Sequence, residues 1–343
     1  MSIGIAILGA GDFARDEHLP AIQACPLLTL KAVYSRFKSA AQKISQEENV
    51  DWYYDYPAIP SSSLEDLLAR EDIHAVVIAV PLFVQSELIR KALAAGKHVL
   101  SEKPIAEDVK TAETLVEWYR CAQRKEMWSV AENFRYLPGI ILASDQLRNI
   151  GGKVTSFCLE LYGFVSEQEQ GHVSDNASHP SGILVDTGVH FAAGLRSLLH
   201  AASQEISSVT AFTSVSSSCP PMTTTLYSAI QLRNGSGGTF NISFGSDYQT
   251  TFAIEIITDR GSVTVEADQV ARMKIDKSGN VTEDTTALGL DNGVKAEVQA
   301  FAESIQSGVA DERGVPEQAL ADLRLIQRML ESDEEGGTVK VML

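Results

Sequence analysis

The sequence has few cysteines, and none of them has the spacing of a metal site. Four of its 343 residues are cysteine, and they lie far apart: Cys25, Cys121, Cys158 and Cys219. No Cys-x-x-Cys pair or Cys/His ligand pattern occurs, so neither a zinc site nor a dense disulfide framework is indicated. We therefore expect reduced thiols, a cytoplasmic location and chemistry that requires no metal.

Positive charge and long apolar runs are also scarce. The chain has 28 Lys and Arg residues against 45 Asp and Glu residues, which makes the formal net charge −17. Such a surface repels nucleic acid and anionic lipid, so we expect a small-molecule substrate and neither a nucleic-acid nor a membrane partner. The apolar run at 3–8 is too short for a signal peptide, and no run approaches the roughly 20 residues that span a bilayer.

The first 130 residues alternate apolar strand patterns with helical ones. Strands are predicted at 3–8, 29–34, 74–80, 98–101 and 127–131, and helices at 13–24, 39–47, 63–69, 84–95 and 108–124. This alternation predicts parallel βαβ units with right-handed crossovers. The fold class is therefore α/β, and residues 1–130 are expected to form a doubly wound parallel sheet.

The remaining residues, 131–343, have a different pattern that is rich in strands. Strands are predicted at 153–165, 206–215, 224–232, 238–244, 252–258 and 262–267, and helices at 182–199, 294–306 and 316–330. Short turns at 235–238 and 259–261 join neighbouring strands. We expect a second α/β domain with a large, open, mostly antiparallel sheet.

A glycine turn follows the first strand and opens a helix. In the string at residues 9–14, Gly9 permits a tight turn, Gly11 lets the backbone approach a pyrophosphate, and Ala14 lets the helix pack on the strand. The helix N-terminus supplies free N–H groups for the diphosphate. A glycine string alone is weak evidence, but the strand–turn–helix context supports a dinucleotide site that includes Asp12 and Phe13.

The end of the second strand bears on which dinucleotide is bound. An acidic residue at this position binds the ribose 2′-hydroxyl of NAD, but the chain has Ser35, Arg36, Phe37 and Lys38 there. Arg36 could pair with a 2′-phosphate, Ser35 could hydrogen-bond it, and Lys38 adds positive charge. We expect NADP(H) to be preferred, with NAD(H) possible. The alternative is a solvated basic turn that starts a helix.

Three residues could provide hydride-transfer chemistry beside a dinucleotide. Lys103 follows the strand at 98–101, at the edge where parallel sheets bind their ligands. His190 can exchange a proton near neutral pH, and Asp186 is four residues earlier, so both share one face if the segment is helical. Hydride transfer needs such groups at the reacting oxygen. The structural alternative is a surface lysine and a helix histidine.

Together these motifs resemble the glucose-fructose oxidoreductase / inositol dehydrogenase / MocA family over nearly the whole chain. The resemblance rests on the glycine turn, the string AAGKHVLSEKP at 94–104, Glu132 and Asn133, the GxxxDxGxH string at 182–190 and two C-terminal helices. It implies a Rossmann domain, a second domain with an open sheet (131–343), and homodimers or homotetramers formed through that sheet. It also implies that Lys103 is the catalytic lysine and His190 the proton-transfer residue.

The chain departs from the family pattern at three places. Ala193 replaces an acid, the string Pro-Ser-Gly at 180–182 replaces three glycines, and Gln85 replaces a histidine. We expect these changes to affect substrate contacts more than hydride chemistry, so the resemblance leaves the substrate open.

Further site residues are predicted from their positions between the strands and the motifs. The cofactor is expected to contact Pro81, Glu102, Lys103 and Asn133, and the substrate Lys103, Arg135, Tyr162, Asp186 and His190. Glu132 is expected near the nicotinamide with Asn133. Additional pocket candidates are Tyr136, His172 and His179, and the polar segment 167–179 is a predicted loop and a candidate lid. For the additional candidates, and for Arg135 and Tyr162, a solvated loop or core-edge role explains the residue equally well.

The function predicted from these residues is NADP(H)-dependent hydride transfer. The substrate carbon would be the CH–OH or C=O of a sugar, polyol, dihydrodiol or related carbonyl compound. Two alternatives use the same fold: a non-catalytic regulator or sensor that binds a dinucleotide, and a glycosidase that oxidises its substrate transiently on tightly held NAD.

Overall fold

The architecture is described from a computed structural model for residues 2–56, 59–164, 181–215, 223–246, 248–275 and 278–342, with only the backbone described at 45–47. The chain forms two compact units. The first comprises Met1–Asn133 and Gly293–Leu320, and the second Phe134–Asn292 and Ala321–Leu343. The unit that contains the predicted domain 1–130 thus also takes in a later helical segment. Within the described ranges no helix is long and apolar enough to span a membrane.

The helices are numbered here in chain order. They are α1 (Leu19–Ala24), α2 (Lys38–Glu48), α3 (Leu64–Leu68), α4 (Leu82–Ala94), α5 (Val109–Cys121), α6 (Pro138–Ile150), α7 (Gly182–Asp186), α8 (Gly188–Ala201), α9 (Val294–Ser307) and α10 (Pro316–Glu334). A π-helical turn, Ala14–His18, leads into α1, and a 3-10 turn, Asn133–Tyr136, precedes α6.

The strands are numbered in the same way. They are β1 (Ile3–Leu8), β2 (Leu28–Tyr34), β3 (Asp51–Tyr53), β4 (Ala75–Ile78), β5 (His98–Glu102), β6 (Trp128–Ala131), β7 (Val154–Tyr162), β8 (Ile206–Val215), β9 (Thr223–Leu232), β10 (Gly237–Ser243), β11 (Thr251–Thr258), β12 (Gly261–Glu266), β13 (Gln269–Ile275), β14 (Val281–Ala287) and β15 (Lys340–Val341).

The first unit contains a parallel sheet in the order β3-β2-β1-β4-β5-β6 among the described residues. Every neighbouring pair is parallel, which confirms the predicted doubly wound sheet. The central strands are apolar on both faces because helices cover both sides. The three-residue strand β3 was not predicted, since so short a segment has no readable periodicity.

Local sequence signals account for several helix boundaries in this unit. Ser63 caps α3 in a reciprocal arrangement with Asp66, as its position before an apolar run predicts. Gly96 follows α4 with a φ of 77°, the left-handed conformation that ends helices without a Cβ penalty. Asp108 caps α5 by accepting a hydrogen bond from Thr111. Helix α9 packs on α1, and Val298 and Phe301 complete the core beneath it.

The second unit contains a mixed sheet in the order β14-β13-β12-β11-β7-β10-β9-β8-β15 in the described ranges. Only β7 and β10 run parallel among these described strands, so the mostly antiparallel sheet that the sequence predicts is confirmed. Helix α6 packs on β12, and α8 packs on β11. Alternation along β9 places Leu226, Ser228 and Ile230 on the covered face and Tyr227 on the exposed one.

Some elements of the second unit have no counterpart in the sequence prediction. These are α6, β13, β14 and β15, and the predicted helix at 182–199 is divided between α7 and α8. Strand β14 is exposed along its whole length and consists largely of polar residues, so it carries no apolar alternation. It is a strand because β13 offers it a partner for its backbone hydrogen bonds.

Candidate active site

The predicted cofactor residues of the first unit follow the carboxyl ends of its strands. Leu8 pairs with Tyr34 and Ile78, and Glu102 pairs with Ala131, so these strands end nearly level with one another. The glycine turn, the turn after β2, the start of α4 and the segment after β5 therefore share one edge of the sheet. Open parallel sheets bind their ligands at this edge.

Two glycines of the turn are required for different reasons. Gly9 has a φ of 121°, and a Cβ on it would lie 1.9 Å from the backbone oxygen of Ala79, so the fold itself excludes any other residue. Gly11 lies outside the left-handed region, and a Cβ there would meet no atom within 4 Å. Protein packing therefore does not require a glycine at position 11. Close approach of a ligand to the backbone is the other reason for a glycine in such a turn, and a dinucleotide diphosphate makes such an approach.

The rest of the turn presents an exposed start to the helix. Asp12 forms an ion pair with Arg15 at 2.9 Å, and Phe13 is about half exposed. Ala14 is buried against the sheet, as the predicted close helix–strand packing requires. Pro81 is exposed at the start of α4, beyond the end of β4. The residues of this edge thus fit a bound NAD(P) molecule.

The turn after β2 carries exposed positive charge. Its backbone is fixed because Ser35 donates its N–H to Tyr53 at 3.1 Å and the Arg36 carbonyl accepts from Tyr56 at 3.0 Å. The Arg36 guanidinium lies 4.8 Å from the centre of the Phe37 ring, and both side chains are exposed. The Lys38 ammonium lies 5.2 Å from the centre of the Trp52 ring, at a distance where a cation–π interaction forms. This interaction competes with the binding of a phosphate by Lys38.

The carboxylate of Asp55 lies near this turn, but both of its oxygens accept hydrogen bonds from within the protein. Tyr34 donates its hydroxyl to Asp55 at 2.6 Å, and the N–H of Leu64 approaches the other oxygen at 3.5 Å. Burial and the hydrogen bond to Asp55 raise the pKa of the Tyr34 phenol. Asp55 therefore supports the start of α3 and is not presented as a ribose ligand.

Lys103 is partly exposed and comes directly after β5, where its backbone is held by other side chains. The Lys103 N–H donates to Glu102 Oε2 at 3.2 Å, and Glu102 Oε1 lies 2.6 Å from His18 Nε2. The Gln85 amide donates to the carbonyls of Glu102 and Pro104. Gln85 is almost fully buried, and its side chain supports the backbone around Lys103. Its effect on substrate contacts stays a prediction.

Three carboxyl groups lie near one another behind this segment. Glu297 of α9 and Glu132, the residue after β6, are both buried, and Glu102 is partly buried. Burial raises the pKa of Glu297 well above its usual range, and the charges of Glu102 and Glu132 raise it further. Glu297 Oε1 has no hydrogen-bond partner among the described residues. A neutral Glu297 is the form that this environment favours.

In the second unit, Asp186 and His190 lie at a junction between two helices. Asp186 ends α7, Thr187 keeps helical backbone angles, and α8 begins at Gly188. The two side chains therefore remain about one turn apart, and both are partly exposed. The His190 ring stacks on Phe134 with centroids 4.8 Å apart and an interplanar angle of 20°. This contact restricts rotation of the imidazole ring.

The remaining predicted substrate residues differ in exposure. Arg135 is buried and forms an ion pair with Asp322, which also pairs with Arg196. This geometry favours a structural role for Arg135, in which it anchors α10. Tyr162 ends β7 and is partly exposed, and partial burial together with the nearby Glu160 raises the pKa of its phenol.

The remaining predicted site residues are buried, partly exposed or outside the described part of the chain. Tyr136 is buried in the core of the second unit, whereas Asn133 is partly exposed at the end of the first. The predicted loop at 167–179, with His172 and His179, lies outside the described residues, as does Cys219.

The sequence prediction did not include His18, Phe134 or Glu297, or the contacts of Gln85 with the backbone around Lys103. A polar residue in register with the apolar face of a helix, as Glu297 is with Val294 and Phe301, is the signal that could have revealed a buried ionisable group. No signal in the sequence links Phe134 to His190, which is 56 residues away.

Comparison with known proteins now places the chain in a family. Residues 3–131 match a family described as "Oxidoreductase family, NAD-binding Rossmann fold", and residues 150–341 match "Oxidoreductase family, C-terminal alpha/beta domain". The chain therefore belongs to the glucose-fructose oxidoreductase / inositol dehydrogenase / MocA family. It is an NAD(P)-dependent oxidoreductase.

Individual relatives agree with this class. The chain is 41% identical to Dehydrogenase FPY6 of Fusarium mangiferae over 99% of both chains. It is 32% identical to a dTDP-3,4-didehydro-2,6-dideoxy-alpha-D-glucose 3-reductase of Actinomadura kijaniata over 56% of this chain and 55% of that one. A crystal structure of an oxidoreductase from Thermotoga maritima has a TM-score of 0.83 at 26% identity and covers 99% of this chain and 98% of its own.

Proposed function

We propose that this protein is an NADP(H)-dependent oxidoreductase that acts on the CH–OH or C=O carbon of a sugar or a related carbonyl compound. Polyols and dihydrodiols fall within the same substrate class. The observation that carries the proposal is the position of Lys103, which follows β5 at the edge of the sheet that also holds the glycine turn. A sugar substrate is supported by the relative named as a deoxyglucose 3-reductase.

Each proposed role follows from the chemistry of the side chain. Bound nicotinamide supplies or accepts the hydride at the substrate carbon. The Lys103 ammonium hydrogen-bonds the reacting oxygen and offsets negative charge that develops there. His190 exchanges the proton of the substrate hydroxyl, and Asp186 orients the imidazole or holds a second hydroxyl. The stacking contact with Phe134 limits rotation of the His190 ring.

The preference for NADP(H) rests on the turn after β2. Arg36 is exposed there and rests on the Phe37 ring, and the neighbouring carboxylate of Asp55 is engaged by Tyr34. A guanidinium that pairs with a 2′-phosphate contributes about 1.5–3 kcal/mol, because hydrogen bonds between charged groups have this strength.

The test is a fluorescence titration of the protein with NADPH and, in parallel, with NADH. We expect tighter binding of NADPH, and we expect Arg36→Ala to weaken NADPH by roughly 10- to 150-fold, the equivalent of 1.5–3 kcal/mol, while NADH changes little. Arg120→Ala, an exposed arginine on α5, is the matched control. Equal affinity of the two cofactors in the unmodified protein would refute the preference and leave the oxidoreductase class intact.

The substrate class is then tested by turnover. Reduction of keto-sugars and simple ketones with NADPH, and oxidation of sugars and polyols with NADP, are followed by absorbance at the nicotinamide band. We expect turnover within this panel and its loss in Lys103→Met by roughly 100-fold or more, the usual magnitude for removal of a donor at the reacting oxygen. Undiminished turnover in Lys103→Met would contradict the assigned mechanism.

A further inference from the structure

One buried side chain contacts the backbone on both sides of Lys103. Gln85, in the first turn of α4, donates from Nε2 to the Glu102 carbonyl at 2.7 Å and to the Pro104 carbonyl at 2.9 Å. These carbonyls belong to the residues immediately before and after Lys103. Both N–H bonds of the amide are thus directed at a single three-residue segment.

A second pair of side chains acts on the same segment. The N–H of Lys103 donates to Glu102 Oε2 at 3.2 Å, and Glu102 Oε1 is 2.6 Å from His18 Nε2. His18 is fully buried and belongs to the π-helical turn that follows the glycine turn. The Phe13 ring packs edge-on against it with centroids 5.3 Å apart. The segment after β5 is therefore tied to the turn that is proposed to hold the diphosphate.

Burial makes these contacts strong constraints. Gln85 is 1% exposed and His18 is 0% exposed, so water cannot replace either hydrogen-bonding group without a rearrangement of the core. A buried carbonyl that loses its hydrogen-bond donor destabilises the fold by its full desolvation free energy, because no water replaces the donor. The segment can therefore leave its present conformation only by breaking one buried and several partly buried hydrogen bonds together.

We propose that Gln85, together with the His18–Glu102 pair, positions Lys103 for catalysis. Neither Gln85 nor His18 is assigned a contact with the reacting atoms. They hold the backbone of residues 102–104 so that the Lys103 ammonium meets the substrate oxygen in one geometry. This inference rests on the proposed function in that it takes Lys103 to be the group at that oxygen. A displacement of about 1 Å can reduce a rate by roughly 100-fold, so such positioning has a measurable effect.

The kinetic test compares Gln85→Met with a matched variant elsewhere in the same unit. Methionine has nearly the same length but no N–H donor. The control is Lys97→Met, because the buried Lys97 ammonium also donates to two backbone carbonyls, those of Arg70 and Ile73, both at 2.7 Å. Lys97 precedes β5, at the opposite edge of the sheet from Lys103.

We expect both variants to lower the melting temperature but only Gln85→Met to lower kcat, by roughly 10- to 100-fold. In that variant KM and the NADPH dissociation constant stay close to those of the unmodified protein. Gln85→His, which retains one N–H donor, gives an intermediate kcat and covers the case in which Gln85→Met does not fold. A kcat that is unchanged in both Gln85 variants, or that falls equally in Lys97→Met, overturns the inference.

A spectroscopic readout separates this inference from the proposed function. Reductive ¹³C-methylation labels the lysines, and the Lys103 signal is identified by its absence in Lys103→Met. We expect this signal to shift or broaden in Gln85→Met and to stay in place in Lys97→Met. An unmoved signal in Gln85→Met overturns the positioning inference whatever the kinetics. A shifted signal combined with full turnover in Lys103→Met sustains the positioning of the lysine and refutes its proposed catalytic role.

Discussion

At the scale of single residues, the described part of the first unit keeps several ionisable side chains away from water. His18, Glu132 and Glu297 are buried, and Glu102 is partly buried, near the segment that carries Lys103. A buried charge is costly unless it is paired, so the group with the poorest partners is the one that gives up its charge. Glu297 has an oxygen without a hydrogen-bond partner among the described residues and two carboxyl groups as electrostatic neighbours.

The raised pKa of Glu297 predicts how stability depends on pH. Burial raises the pKa of the folded state above that of the unfolded chain, and Glu102 and Glu132 add to the shift. The folded state then binds more protons, so the stability contributed by this group is present at acidic pH and is lost as pH rises through the folded pKa. We expect Glu297→Gln to raise the melting temperature at alkaline pH and to flatten its fall with rising pH, measured from pH 6 to 9.

Differential scanning fluorimetry across this pH range measures the effect. Glu303→Gln makes the same Glu-to-Gln replacement at an exposed position of α9 and is the control. A Glu297→Gln melting curve that is parallel to that of the unmodified protein over the whole range would contradict a neutral Glu297.

His190 leads to a kinetic prediction at the same scale. Replacement by Asn retains a polar side chain but removes the group that can gain and lose a proton near neutral pH. We expect His190→Asn to lower kcat by roughly 100-fold or more, the usual range for loss of a general acid or base, with NADPH affinity unchanged. His200→Asn, at the exposed far end of the same helix, is the control. Equal activities of the two variants would exclude proton transfer by His190.

At the scale of elements, the family string at residues 94–104 has two parts, one at each end of β5, and their roles differ. Lys97 lies just before β5, and its ammonium donates hydrogen bonds to carbonyls of the loop before β4. His98 begins β5, and its Nδ1 accepts the N–H of Met127 at 2.9 Å. Burial lowers the pKa of both side chains. Lys103 comes at the other end of the strand. The motif thus combines a structural clamp with a candidate catalytic residue.

The two glycines of the turn allow a paired prediction for one element. Gly9→Ala places a Cβ against the Ala79 carbonyl in a left-handed backbone conformation, and we expect a loss of about 1–3 kcal/mol of stability or a failure to fold. Gly11→Ala meets no protein atom, so its stability should change by less than about 0.5 kcal/mol.

Cofactor binding should respond in the opposite order. We expect folded Gly11→Ala to bind NADPH roughly tenfold or more weakly, the equivalent of about 1.4 kcal/mol, because the methyl group occupies the path of the diphosphate. Melting curves and NADPH titrations measure the two effects. Unaltered NADPH affinity in Gly11→Ala would show that the diphosphate does not approach this turn.

At the scale of the whole molecule, the exposed face of the second sheet is the surface through which oligomers are predicted to form. Phe212 and Tyr227 are paired across β8 and β9 and are about half exposed. We expect light scattering to show a dimer or tetramer. In Tyr227→Arg we expect the oligomer to dissociate towards smaller species, because a charge buried in an apolar interface lacks a partner.

Tyr248→Arg is the control for this prediction, since Tyr248 is exposed outside the strands. A monomeric unmodified protein, or an oligomer that Tyr227→Arg leaves intact, would rule out assembly through this face.

The sequence by itself determined the elements whose signal is local. Burial on both faces, tight turns and helix caps depend on short spans of chain, so neighbouring residues are enough to predict them. Such features are the apolar runs of β1 and β4, the glycine turn at Gly9 and Gly11, the Ser63 cap and the position of Lys103 after a strand. The same local signals, with the family motifs, identified an NAD(P)-dependent oxidoreductase.

Only the tertiary structure decided the features that depend on distant residues. Strand β14 exists because β13 pairs with it, and Arg135 is engaged by Asp322, which lies 187 residues later. Gln85 contacts the backbone at Glu102 and Pro104, a pairing that no local sequence pattern predicts. The physical reason is that burial and pairing at these positions are set by which elements pack together, and no short window of sequence contains that information.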